Sequence, residues 1–126
     1  MTTFVLPATE DTVRVGVIDP TAAPVLTVAD GDEVILETLG PWGGRVVDGT
    51  QISDFPQIKA HFPDALGPHS LTGPIRVSGT QPGDTLAVDV LGLRTITHGY
   101  NMVIAQPRGR GVLRDRFPEG HIRHFT

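Results

Sequence analysis

Pro74-Ile75-Arg76-Val77-Ser78-Gly79-Thr80-Gln81-Pro82-Gly83-Asp84-Thr85-Leu86-Ala87-Val88-Asp89-Val90-Leu91 reads as strand, turn, strand. Apolar and β-branched residues flank a corner with Pro at the second and Gly at the third position of a type II turn. An earlier stretch repeats the grammar: Pro24-Val25-Leu26-Thr27-Val28 leads through Asp30-Gly31-Asp32 to Glu33-Val34-Ile35-Leu36-Glu37-Thr38-Leu39. This weak internal repeat predicts two similar hairpins at comparable places in two packed sheets. In each corner the aspartate, Asp32 or Asp84, is expected to cap neighbouring N–H groups.

Outward from these hairpins the pattern continues. Short apolar runs at 13–18, 25–28, 34–39, 75–77, 86–91 and 102–105 are each bounded by turn residues. Helical periodicity is nearly missing, and residues 56–62, with Ser53 or Asp54 as N-cap, form the one helix candidate. The expected fold is all-β: a single sandwich or jelly-roll-like domain over 1–126, with long loops and at most one short helix.

Composition narrows the function classes. With 126 residues, 39% hydrophobic content and a mean hydropathy of zero, the chain reads as one soluble globular domain. Its 15 glycines and 11 prolines fall at punctuation points between apolar runs, which argues for turns rather than disorder. A formal charge of −4 gives no general attraction to nucleic acid or an anionic membrane. There is no cysteine, which excludes disulfides and thiolate metal sites, and the opening Met1-Thr2-Thr3-Phe4-Val5-Leu6-Pro7 lacks the form of a signal peptide. A cytoplasmic location is expected.

Chemistry is concentrated in Gly67-Pro68-His69-Ser70-Leu71-Thr72-Gly73-Pro74-Ile75, where two Gly-Pro pairs fix the backbone around a histidine and two hydroxyls. His69, Asp48, Asp54 and Asp19 are the local candidates for holding a metal, although none shows tight ligand spacing. Read without that role, His69 is a loop histidine bonding nearby backbone. Ser70 and Thr72 more simply serve as turn formers than as nucleophiles. The polar connection 40–54 is long enough to be functional and carries Asp48. Near the end, Arg108, Arg110, Arg114, Arg116 and Arg123 surround His121 and His124. Asp115 and Glu119 interrupt the run, which favours a solvated face or a protein interface over nucleic acid.

His-Ser-Leu-Thr-Gly-Pro-Ile followed by Pro82-Gly83-Asp84 resembles the signature of the acetamidase/formamidase amidohydrolases. The resemblance extends to residues 12–19, to the 24–39 repeat, to Asp48 and Asp54, to Gly99-Tyr100-Asn101 and to Gly109-Arg110-Gly111-Val112-Leu113. It implies a β-rich, oligomer-forming hydrolase that splits the C–N bond of short linear amides with a divalent metal, zinc foremost. On that basis His69 and Asp48 are expected as catalytic and metal-binding residues, and Arg14, Thr72 and Tyr100 as substrate contacts. Family members often carry histidine where Arg14 stands, and a typical member is more than twice as long. A homo-oligomer, or a partner chain supplying the C-terminal half, is therefore expected. The alternative is a non-catalytic interaction domain or half-enzyme subunit. A cupin-like barrel ranks last, because such sites cluster their histidines.

Overall fold

A computed structural model describes residues 1–105 and 112–126 of the chain. Arg108 and Arg110, with the 109–111 part of the family-like block, lie outside the described residues. The described strands are β1 (Thr3–Leu6), β2 (Val13–Val15), β3 (Leu26–Val28), β4 (Glu33–Leu36), β5 (Ser70–Thr72), β6 (Ile75–Val77), β7 (Gly99–Val103) and β8 (His121–Phe125). One short helix, α1 (Phe55–Ala60), follows a 3-10 turn at Ile52–Asp54, and a second such turn spans Arg114–Arg116. The fold is all-β with long loops, as the sequence predicts.

The chain divides into two compact units. One comprises residues 1–45 and 62–89, the other 46–61 and 90–126. In the first, β1 pairs with β4 in parallel, β2 with β5 antiparallel, and β3 with β6 in parallel. β1 shows why it sits where it does: Val5 is 62% exposed while Leu6, one position on, is 4% exposed, the period-two alternation of a half-covered strand. Val28 and Trp42 are the other buried apolar residues of this unit.

The two predicted hairpins do not form. Their first strands pair with each other, Leu26 opposite Ile75, Thr27 opposite Arg76 and Val28 opposite Val77. The turn chemistry explains this. Asp32 N–H donates to the Ala29 carbonyl at 3.2 Å with Gly31 at φ 81, and Asp84 N–H donates to the Gln81 carbonyl at 3.1 Å with Gly83 at φ 104. Both corners thus place glycine at the third position, as in type II turns, which splay the flanking strands instead of closing a hairpin. The expected caps are present: the Asp32 carboxylate accepts from Ala29 N–H at 2.9 Å, and the Asp84 carboxylate from Gln81 N–H at 2.8 Å. β4 is carried away to β1. The segment predicted as a strand at 86–91 is exposed and in no sheet among the described residues. Its propensity is high, but propensity without a paired neighbour does not make a strand.

The second unit holds α1, β7 and β8. Asp54 accepts the Gln51 N–H at 2.8 Å at the start of the 3-10 turn, Pro56 lies in the first turn of α1, and Phe55 is buried. β7 and β8 pair antiparallel, with Tyr100 opposite His124 and Met102 opposite Ile122. Gly99 lets the Phe125 ring lie against the strand, because a Cβ there would come 2.5 Å from it and push the ring aside. No described helix is long and apolar enough to cross a membrane.

Candidate metal centre

Residues two apart on a strand share a face, so His98, just before β7, and Tyr100, within it, point the same way. His124 lies directly across from Tyr100 on β8. The three rings gather on that face: His98 and His124 stack at 5.1 Å between centroids, and Tyr100 lies 6.1 Å from His98 and 6.2 Å from His124.

The loop before the 3-10 turn supplies the acid. Thr50 closes it, with its hydroxyl accepting Val47 N–H at 3.0 Å and its own N–H donating to the Val47 carbonyl at 3.1 Å. Gly49 adopts φ 83 between them, and Asp48 is held at the tip. One ligand atom each from Asp48, His98 and His124 lies within 4.8 Å of the others. Asp48 is exposed and both histidines are half-buried.

Two hydrogen bonds fix the proton positions. His124 Nε2 lies 2.8 Å from the Thr50 carbonyl oxygen, and His124 Nδ1 lies 2.8 Å from His98 Nε2. A carbonyl only accepts, so Nε2 of His124 carries its proton. In neutral His124 the Nδ1 lone pair then accepts from His98 Nε2–H. Imidazole anchored to a backbone carbonyl through one nitrogen is the usual preparation of a histidine ligand, and a cation bound here would replace the His98 proton on the other nitrogen. Two imidazoles and a carboxylate form a donor set suited to zinc, and three protein ligands leave a coordination position open.

Beside the cluster, the Tyr100 hydroxyl is buried with no hydrogen-bond partner among the described residues. Burial pushes its pKa above the ordinary 10.0, so it stays protonated and keeps a proton to donate.

The residues singled out in sequence divide between the units. Asp48 and Tyr100 fall in the group just described. His69 belongs to the first unit, where it lines a cavity of 310 Å³ with Gly16, Ile18, Leu66, Gly67 and Leu71. Its carbonyl accepts Gly16 N–H at 2.7 Å, and its ring has no hydrogen-bond partner among the described residues. Arg14 sits 3.5 Å from Asp19. Asp19 is held below its ordinary pKa first by hydrogen bonds from Thr21 and only then by Arg14, which marks a local turn rather than a ligand. Thr72 donates to the Glu37 carbonyl at 2.9 Å, and Ser70 donates to the Gly40 carbonyl at 2.7 Å while accepting Gly43 N–H at 3.0 Å. Those hydroxyls tie the 37–43 segment to β5 rather than closing a local turn.

His98 and His124 are the functional candidates that the sequence reading passed over. His124 was read with the arginine-rich end as part of an interface. The available signal was His98-Gly99-Tyr100, a period-two pair of ring side chains entering an apolar run.

The profile of the acetamidase/formamidase family matches residues 9–126. The chain is 33% identical over 103 residues to a formamidase of Methylophilus methylotrophus, covering 79% of this chain and 24% of that protein. It is 28% identical over 112 residues to an acetamidase of Mycolicibacterium smegmatis, covering 81% and 26% respectively. A putative formamidase of Schizosaccharomyces pombe is 26% identical over 96 residues, 74% of this chain and 22% of the other. The chain therefore spans about a quarter of the length of these relatives. No solved structure matches it.

Proposed function

Because this chain belongs to the acetamidase/formamidase family, we propose that it carries part of the site of an amidohydrolase for short linear amides, with Asp48, His98 and His124 holding a divalent metal, zinc foremost. The reaction adds water across the amide: a C–O bond forms at the carbonyl carbon, the C–N bond breaks, and nitrogen departs as ammonia. The observation that carries the reading is the convergence of the three ligand atoms within 4.8 Å.

A bound divalent ion supplies Lewis-acid polarisation and a water of lowered pKa. The chain's own groups do the rest. The Thr50 carbonyl holds His124 in the tautomer that presents Nδ1. Tyr100 O–H, protonated and without a partner among the described residues, donates to the amide oxygen as charge gathers there. His69, in the first unit and with no ring hydrogen bond among the described residues, is proposed separately as a catalytic group or ligand. Arg14 and Thr72 carry less support, since Asp19 and the Glu37 carbonyl engage them.

A second reading is favoured by the share of relatives covered: a half-enzyme or interaction domain whose site is completed by further polypeptide. Ammonia release from formamide and acetamide tests both. Zinc- or manganese-dependent release, abolished by His98→Ala, is expected of the catalytic reading. Release only after a complementing family polypeptide is added selects the second. No release under either condition overturns the amidohydrolase assignment. Turnover unchanged in His69→Ala removes His69 from the mechanism.

A further inference from the structure

The internal repeat has a strand missing from its second copy. In the first, the Asp32 corner leads into β4, and β4 pairs in parallel with β1. Asp32 serves that pairing as well as its own turn: one carboxylate oxygen accepts Ala29 N–H at 2.9 Å, and the other accepts Thr2 N–H, just before β1, at 2.8 Å. In the second, the Asp84 corner has the same turn bond, the same positive-φ glycine and the same carboxylate cap on Gln81 N–H at 2.8 Å. Among the described residues, nothing donates to the other Asp84 oxygen. The segment that follows, the counterpart of β4, pairs with no strand among the described residues. Its apolar residues stand in the open: Leu86 is 58% exposed, Val88 75% and Val90 72%. β3 and β6 pair in register as far as Val28 and Val77, after which the corner follows directly in the first copy and after Ser78-Gly79-Thr80 in the second.

We propose that residues 85–89 are a docking strand for the portion of an acetamidase/formamidase polypeptide that lies beyond the matched region. The incoming strand runs parallel to 85–89 and is the counterpart of β1, with an N–H at its start donated to Asp84. Roughly three quarters of each relative lies outside the match, ample chain to supply it. A second copy of this chain does not fit, because its β1 is already held by its own β4. The register follows from the first copy. Glu33 N–H donates to the Thr2 carbonyl at 2.9 Å and Glu37 N–H to the Leu6 carbonyl at 3.0 Å, so the edge facing β1 presents amides 33, 35 and 37. Counting from each Gly-Asp, the corresponding amides are those of Thr85, Ala87 and Asp89.

The proposal rests on family membership and not on hydrolysis, so its test is independent of the ammonia assay. The tagged chain is co-expressed with the Methylophilus methylotrophus formamidase from which the matched region has been removed. Copurification is expected, with hydrogen exchange slowed at Thr85, Ala87 and Asp89. Ala87→Pro, which removes the central donor, is expected to abolish copurification while leaving the melting temperature of the isolated chain unchanged, since that amide has no partner among the described residues. Failure to copurify, including insolubility of the formamidase portion in the chain's presence, overturns the proposal. So does copurification that survives Ala87→Pro, or slowing of those amides by self-association alone.

Discussion

Two hydrogen bonds decide what His124 can offer. With Nε2–H committed to Thr50, the ring has a fixed tautomer and one lone pair, at Nδ1, which His98 Nε2 engages at 2.8 Å. Tyr100 is the complementary case, a buried donor that the described residues leave unanswered. Tyr100→Phe is therefore expected to change fold stability by less than about 1 kcal/mol, because no protein hydrogen bond is lost. Amide turnover should fall roughly 100-fold if the hydroxyl meets the developing oxyanion. Thermal melting and ammonia release on one preparation check both; unchanged turnover would remove Tyr100 from the site. Asp48, proposed here as a ligand, is singled out in sequence by the family resemblance and by its long polar connection. His98 and His124 were not, because 26 residues separate them and only the β7–β8 pairing makes them neighbours.

Among the elements, the Gly-Asp corner is the most informative unit. Asp32 is held below the ordinary carboxyl pKa of 3.8 by Ala29 N–H first and Thr2 N–H second. A lowered folded-state pKa contributes stability that is fully present above the unfolded value and lost as pH falls through the folded one. Stability is therefore expected to fall on acidification below about pH 4, and Asp32→Asn should flatten that acid limb. Thermal melting between neutral and strongly acidic pH checks this; an unchanged acid limb would show that the caps do not contribute. The turns and most strands could be read from glycine placement and apolar runs. The pairing could not, because a Gly-Asp corner looks alike whether the strands close on each other or part. The run at 86–91 was misassigned as a strand for the same reason: strand propensity is a property of the segment, but a ladder needs a neighbour.

For the whole molecule, an all-β chain with one short helix was legible from alternation and the density of turn residues. The division into two units was not, because each is assembled from two separated segments. The family, too, was legible, since the Gly-Pro loop and the Pro-Gly-Asp turn carry its pattern in contiguous residues. Asp48, His98 and His124 are proposed to form a divalent-metal site. Calorimetric titration of zinc into the chain tests it most directly. One zinc per chain is predicted, with affinity weakened roughly 100-fold or more by His98→Ala or His124→Ala, since each removes a ligand. Absence of binding, or binding that survives both substitutions and is lost in His69→Ala, would contradict it.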